Sequence, residues 1–251
     1  STKMVRRGIA ILTFNRATHL EEMINSVVKT APPDSTIVVC DDGSTDNTPE
    51  IVCKFKDVIY IRGANKGVGA NRNRALATLQ SCHFIAMIED DLFPVDKGWF
   101  QHYEEASLAS GIHHFCRVQD KEIPENIMEY TNWMQKNKGL TPIYAPSPRG
   151  DLVFITQRVV REVGGIHADF KGAGYAHGEW QMRIVKANLV PHPLRYVDIK
   201  EARDKFVQKG DREGGRWMAS KAKINKELED NKKVRKALDK RNIIYYPIFM
   251  P

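Results

Sequence analysis

No apolar run in this chain of 251 residues approaches the roughly 18–20 residues that a membrane-spanning helix needs. Residues 1–7 are polar and basic, without the apolar stretch of a secretory signal, and Met4 is the expected native start. Cysteine is scarce. Cys40, Cys53, Cys82 and Cys116 show no CxxC spacing, and three of them sit among apolar neighbours, as thiols of a reducing compartment do. That excludes a disulfide scaffold and points to the cytoplasm. No internal repeat is visible, which removes solenoids and propellers. An even spread of charge is lacking too. Between Lys205 and Arg241 stand 13 Lys/Arg against 6 Asp/Glu, and this accounts for the whole net charge of +7. Such asymmetry suggests a polyanionic partner, nucleic acid or an anionic membrane surface, and otherwise a solvated helix that aids solubility.

What is present is a regular alternation. Residues 8–13, 37–40, 58–61 and 84–88 are short apolar runs, as expected of parallel strands buried on both faces. Between them lie helical patterns over 18–31, 49–56 and 70–79. In the first, Thr18 and Glu21 read as a capping box, and Leu20, Met23, Ile24, Val27 and Val28 make one apolar stripe that Pro32-Pro33 ends. Strands separated by such helices imply right-handed crossovers and an α/β fold with a mostly parallel sheet flanked by helices. Beyond residue 110 the pattern loosens. A short helix is expected near 127–136, a strand over 152–156, a helix over 157–163 stopped by Gly164-Gly165, a glycine-rich loop over 171–178, a helix over 179–187 and a strand over 197–199. A polar stretch follows, then a long basic helix over 216–240. Residues 1–110 and 111–203 read as two halves of one domain, and 204–251 as a basic, helical C-terminal extension.

In open α/β sheets ligands bind beyond the carboxyl ends of the strands, and both acidic clusters of this chain stand at such ends. Glu89-Asp90-Asp91 follows Phe-Ile-Ala-Met-Ile directly. Three adjacent acids repel one another unless something answers their charge, and a hard divalent cation, Mn²⁺ or Mg²⁺, shared with a substrate diphosphate does so. Asp41-Asp42-Gly43-Ser44 ends the second run, where an Asp can accept from a base N–H or ribose hydroxyls. Thr13-Phe14-Asn15-Arg16 ends the first, and Lys66, Gly67, Arg72, Asn73 and Arg74 bring cations to the same edge. Any one of these is weak evidence; four at one edge are hard to assign to packing.

In this order and spacing, Thr13-Phe14-Asn15-Arg16, Val39-Cys40-Asp41-Asp42-Gly43-Ser44-Thr45-Asp46, Asn65-Lys66-Gly67 with Arg72-Asn73, and Glu89-Asp90-Asp91 resemble the family-2 glycosyltransferases of the GT-A (Rossmann-like) fold. The likeness is close over residues 8–100 and loose over 150–190. It implies an inverting enzyme that uses a nucleotide-sugar, most often a UDP-sugar. It also implies Thr13, Asp41 and Asp42 at the nucleoside and Arg72 near the base or diphosphate. Asp91, the last acid of a DxD-like motif, becomes the main metal ligand, with Glu89 and Asp90 facing metal-bound water or the donor. In the second half, Gly164-Gly165 and the spacing from Glu179 to Arg183 fit. The family's usual base position, two residues before that acid, holds His177 instead of Asp. Either His177 or Glu179 can be the base, and Glu179 can equally just pair Arg183 one helical turn on. His192 is an additional metal-ligand candidate, or a turn histidine. Lys209, Arg212 and Arg216, in a stretch hinged by glycines, are candidates to close over the diphosphate.

The acceptor is left open. The basic segment suits DNA carrying hydroxymethylated pyrimidines, and equally a lipid-linked or surface-polysaccharide acceptor at an anionic membrane. Two further classes compete. A nucleotidyltransferase would carry its Gly-rich phosphate loop after the first strand, where Thr13-Phe14-Asn15-Arg16 stands. A catalytically dead binding module would have lost the acids.

Overall fold

Three of the four apolar runs are buried strands, apolar because helices cover the sheet there on both faces; the run 58–61, expected to be buried likewise, lies at the sheet edge, only partly covered, with Ile59 exposed. In the computed structural model, the residues described are 3–118, 128–145, 148–190, 195–209 and 219–251. In chain order the elements are β1 (Arg7–Thr13), α1 (Ala17–Thr30), β2 (Thr36–Asp41), α2 (Thr48–Val52), β3 (Val58–Arg62), α3 (Val68–Leu79), β4 (Phe84–Glu89) and β5 (Leu92–Pro94). There follow α4 (Trp99–Ser110), β6 (His114–Val118), α5 (Met128–Lys138), β7 (Pro142–Ala145), β8 (Pro148–Thr156), α6 (Gln157–Glu162) and α7 (Ala176–Lys186). The last are β9 (Tyr196–Ile199), α8 (Lys200–Arg203), β10 (Phe206–Gln208) and α9 (Lys221–Asp239). No helix among the described residues is long and apolar enough to cross a membrane.

One six-stranded sheet runs in the order β3-β2-β1-β4-β8-β6. The first four strands are parallel; β8 runs against both β4 and β6. Thr13 lies beside Asp41, and Leu12 beside Glu89. The carboxyl ends of β1, β2 and β4 therefore form one line. β10 pairs antiparallel with β5, Gln208 beside Leu92, which brings the chain back to the end of β4.

Several local expectations need correction. Thr18 is not the cap of α1: Arg16 holds that position, with no side-chain cap of its own. The Ala17 N–H is instead met by Asp46 Oδ2 at 3.0 Å, from the loop after β2. Of the expected stripe, Leu20, Met23, Ile24 and Val27 are wholly buried, whereas Val28 is exposed, since it turns past the edge of the face that meets the sheet. The helix expected over 49–56 is the shorter α2. The long basic helix starts at Lys221; residues 210–218 lie outside the described set. Cys40, Cys82 and Cys116 are buried thiols, and Cys53 is exposed.

The second half is tied to the sheet by aromatic packing. Phe154 of β8 sits against Phe100 and Tyr103 of α4 with ring centroids 5.1 and 5.3 Å away. Tyr103 then donates its hydroxyl proton to Asp198 Oδ1 on β9 at 2.6 Å. Both groups are buried. Burial pushes the Asp198 carboxyl up to about 7, and the Tyr103 hydrogen bond opposes that rise by favouring the carboxylate. The folded-state value thus lies above the ordinary one. Stability from the neutral acid is full below about 4 and is lost as pH rises through about 7. Tyr103→Phe removes a donor that matters most to the ionised form. It is expected to cost about 1–3 kcal/mol at pH 8 and less at pH 5.5, read by urea unfolding at both. Equal costs at the two pH values would show that Asp198 does not titrate in this window.

Candidate active site

At the line where β1, β2 and β4 end, the chain leaves the sheet and opens a cleft of about 310 Å³. Its walls carry Thr13, Asn15 and Arg16 after β1, Asp42 after β2, Gly67 and Asn71 at α3, and Glu89 and Asp90 at β4. Lys223 and Glu227 of α9 form a further wall with Gly172.

Asp42 organises the floor. Its Oδ1 accepts from the Lys66 N–H at 3.0 Å and from Arg74 at 2.8 Å, and its Oδ2 accepts from the Gly67 N–H at 2.8 Å. Arg74 is wholly buried and also donates to Asn71 Oδ1 and the Ala64 carbonyl. Burial raises the Asp42 carboxyl, and the Arg74 hydrogen bond works against that rise. Gly67 has φ +101, and a side chain there would run into the Gly172 backbone; only glycine fits this approach. Asp41, expected at the nucleoside, does not face the cleft. It is fully buried, with Ser44 donating twice to Oδ1 and the Tyr60 hydroxyl donating to Oδ2. It acts through the turn it shapes.

Asn15, at φ 48, joins the two turns: its N–H donates to Ser44 Oγ, and its Oδ1 accepts from the Thr45 N–H. Thr13 Oγ1 donates to Asp90 Oδ2 at 2.7 Å, and Arg16 Nε lies 3.1 Å from Asp90 Oδ1. Burial pushes the Asp90 carboxyl up to about 7, against the pull of Arg16 and Thr13. Asp91 receives Arg16 at 3.7 Å and a hydrogen bond from Gln208 Nε2 at 3.3 Å. Its Oδ1 is buried without a hydrogen-bond partner. Among the described residues no three His, Cys, Asp or Glu side chains converge as a closed cation site. A cation shared with a diphosphate needs only one or two carboxylates, so a free Asp91 oxygen with Glu89 nearby in the chain fits that kind of donor set.

Next to β4 in the sheet stands β8. Ile88 pairs with Leu152, so Asp151 and Gly150 continue the ladder beside the acids. Arg72 was expected at the donor but turns here: it donates to the Gly150 carbonyl at 2.6 Å. Residues two apart on a helix point to different sides, and Arg74 is the one that meets Asp42. Glu179 is buried with both oxygens on Arg183 Nε, at 2.9 and 2.7 Å. Arg183 in turn donates to the Val163 and Gly165 carbonyls. His177 is buried, with Nε2 3.0 Å from His114 Nε2 and Nδ1 lacking a partner. Burial, then Arg72 and His114, hold it well below the usual histidine range.

The remaining expectations divide. Lys66 contributes its N–H, and its side chain is exposed. Lys209 does not reach the cleft: its Nζ pairs with Glu22 on α1 at 2.5 Å and lies over the Phe93 ring. His192, Arg212 and Arg216 lie outside the described residues. Asn71, Gln208, Lys223 and Glu227 belong to the site without having been singled out for it, as does His114 through its contact with His177; Arg74, expected as a cation at this edge, meets Asp42 there. For Lys223 and Glu227 the sequence offered only charge, and for His114 no signal at all.

Comparison with known proteins agrees with this geometry. Residues 8–145 match glycosyl transferase family 2. A putative teichuronic acid biosynthesis glycosyltransferase of Bacillus subtilis is 27% identical over 97 residues, 36% of this chain and 38% of that protein. The chain spans between 15% and 38% of the length of the curated relatives it matches. Among solved structures, a mannosyltransferase of Pyrobaculum calidifontis in complex with GDP-Man and Mn²⁺ superimposes with a TM-score of 0.53 at 17% identity, over 73% of this chain and 52% of that one. TarS of S. aureus in complex with UDP gives 0.52 at 17%, over 71% and 54%. At such identities the likeness is one of fold, and it is the GT-A fold.

Asp42→Ala would leave the Arg74 charge buried and unanswered, at an expected cost of about 3–5 kcal/mol. Asp42→Asn keeps an acceptor for the loop and should cost less. Thermal unfolding midpoints of the two variants check this; equal midpoints would show that the charge is not what matters.

Proposed function

The chain belongs to glycosyl transferase family 2, and we propose that it moves a sugar from a UDP-linked donor to a hydroxyl of a polyanionic acceptor, with inversion. The observation that carries this reading is the cleft itself. A nucleoside-sized space is bounded by Thr13, Asp42 and Asn71 and opens onto Glu89 and Asp90, with an unpartnered Asp91 oxygen at the end of the same strand. Solved relatives of the fold hold UDP, or GDP-Man with Mn²⁺. A divalent cation held by Asp91 and Glu89 would neutralise the charge that develops on the leaving diphosphate.

The base is His177. Glu179 has both oxygens committed to Arg183, whereas His177 keeps a free ring nitrogen beside Gly150. Burial, then Arg72 and His114, favour the neutral ring, so it is uncharged before the transfer. The acceptor hydroxyl gives its proton to His177 Nδ1. Its oxygen forms the new bond to the anomeric carbon as the bond from that carbon to the diphosphate breaks on the opposite face, and UDP leaves.

The acceptor reading rests on α9. Lys232, Lys236 and Lys240 are exposed, recur every four residues on one face, and carry no ion pair among the described residues. Duplex DNA with hydroxymethylated pyrimidines offers both a regular run of phosphates and an acceptor hydroxyl. The second reading, a lipid-linked or surface-polysaccharide acceptor, is favoured by Ile243, Tyr245, Phe249 and Met250, which are exposed just beyond the same helix.

Two outcomes are expected. UDP with Mn²⁺ should raise the thermal midpoint of the protein, and Asp91→Ala should lose both that shift and turnover of the donor; full activity in this variant refutes the cation assignment. Replacing Lys232, Lys236 and Lys240 by Glu should weaken duplex DNA binding and lower its salt slope by about 3. Binding to anionic vesicles with none to DNA decides for the second reading.

A further inference from the structure

We propose that Lys223 of α9 is a donor-binding residue, whose ammonium meets the diphosphate of a nucleotide in the cleft. This role rests on the reading of the cleft as a nucleotide-sugar site and adds to it the cation that receives the phosphates.

The cleft has little free positive charge. Of the residues that line it, Arg16 and Lys223 are basic, whereas Asp42, Glu89, Asp90 and Glu227 are acidic. Arg16 is engaged within the protein, 3.1 Å from Asp90 and 3.7 Å from Asp91. Other cations of the same edge are engaged as well. Arg74 is buried on Asp42, Arg72 donates to the Gly150 carbonyl, and Lys209 pairs with Glu22. Lys223 differs from all of these. It is exposed, it lines the cleft, and it makes no ion pair among the described residues. A nucleoside diphosphate brings several negative charges into a space already lined by carboxylates. A divalent cation at the end of β4 answers part of that charge, and a free ammonium on the α9 wall answers more.

The helix that carries Lys223 is fixed in place. Lys223 and Glu227 stand four residues apart and both line the cleft, so one face of α9 is turned to it. That face is seated on residues 171–174. Glu227 accepts from the Ala173 N–H at 3.3 Å, and Asn231, one turn on, takes the Lys171 N–H and gives to the Lys171 and Ala173 carbonyls. Two glycines at positive φ permit the approach: a side chain on Gly172 would run into the Glu227 carboxylate, and one on Gly174 into Leu228. Gly172 in turn bridges Gly67, whose N–H is held by Asp42. With the Glu227 carboxylate turned to Gly172 and Ala173, Lys223 is left unpaired one turn nearer the start of the helix. Its own N–H donates to the cap, Ser220 Oγ, at 3.2 Å. Ala219, just before that cap, also lines the cleft, so the positive end of the helix dipole lies at the same wall.

A lysine carries a compact charge on a flexible stem, and can therefore stay with the diphosphate as it gains charge on leaving the sugar. The row 223, 227, 231 is also distinct from the row of Lys232, Lys236 and Lys240, which lies about 100° further round the helix. One face of α9 thus serves the donor, and another is open to a polyanion.

NMR titration with UDP and with uridine, each with Mg²⁺ present, separates a phosphate contact from a packing role. Lys223→Ala should weaken UDP binding about 10-fold, the loss of one charge-assisted hydrogen bond, and leave uridine binding unchanged. Lys223→Arg keeps the charge and should retain most of the UDP affinity. Lys221→Ala removes an equal charge from the same turn at a residue that does not line the cleft, and should bind UDP as the wild type does. Unchanged UDP affinity in Lys223→Ala, with the wild type binding UDP, overturns the proposal and leaves the nucleotide reading of the cleft standing. Equal losses of UDP and uridine in that variant overturn it too, because the lysine would then shape the wall without touching phosphate. So does an equal loss in Lys221→Ala, which would trace the effect to the overall field of the helix. A wild-type protein that binds neither ligand refutes the nucleotide reading itself, and the role of Lys223 with it.

Discussion

Arg74 carries a charge with no access to water, and the rest of the cleft follows from how that charge is answered. A buried guanidinium must find acceptors for its fork of donors or the fold loses several kcal/mol. Asp42, Asn71 and the Ala64 carbonyl are those acceptors. Meeting Arg74 uses only part of Asp42, and its remaining lone pairs draw in the N–H groups of Lys66 and Gly67. The loop after β3 is thereby held against the turn after β2. Gly67 then approaches Gly172 closely enough for the two backbones to bridge, and the stretch around Gly172 is held by α9 through Asn231, which takes the Lys171 N–H and gives to the Lys171 and Ala173 carbonyls. The basic helix is thus fixed to the cleft wall by Asn231 and by Glu227, which takes the Ala173 N–H, and Lys232, Lys236 and Lys240 stay exposed.

The acids after β4 follow a different rule. Left alone, three consecutive carboxylates at a strand end would repel. Arg16 takes up part of the charge from the start of α1, and Thr13 and Gln208 take up more by hydrogen bonding. Gln208 reaches Asp91 because β10 returns antiparallel along β5, and it is joined on its other side by Arg149 of β8. One oxygen of Asp91 escapes all of this. An unanswered buried oxygen is a cost that folding alone does not explain, and it is what a site kept for a ligand looks like.

Much of this was legible because strand ends in a parallel sheet must be polar and the strands themselves must not. Apolar runs stopped by Asp41 and Glu89 therefore located the line of the cleft before any coordinates. Side-chain direction was less legible. Arg72 and Arg74 are both arginines on one helix, and only the phase of that helix, set by packing of Leu76 and Leu79, decides which one meets Asp42. Asp41 and Asp42 posed the same problem at a turn. Contacts between distant segments were not legible at all: nothing near His114 in the chain hints at His177, and the charge of Lys223 and Glu227 does not say which cleft they line. Helix α4 could have been found, since Trp99, Phe100, Tyr103, Ala106 and Ser107 fall on one helical face and are all buried. Its polar neighbours Glu104 and Glu105 mask the stripe when composition is read by window.

In the proposed reaction, a histidine where the family resemblance leads one to expect an acid changes the electrostatics of the base. A carboxylate next to Arg72 would be drawn into an ion pair and lose basicity, since a neighbouring cation favours its charged form. The same cation disfavours a protonated imidazole as well, and with burial holds His177 below the usual histidine range, while Arg72 itself stays on the Gly150 carbonyl. The charge on the acceptor side matters as well. In the proposed reaction a chain of phosphates arrives along α9, and each fixed negative charge near the transfer point would oppose it. Glu179 is already neutralised by Arg183, and Asp151 by Arg117 and Arg149. A base that is uncharged at rest, and becomes positive only as the proton moves, adds attraction for a polyanion at the moment when the new bond forms.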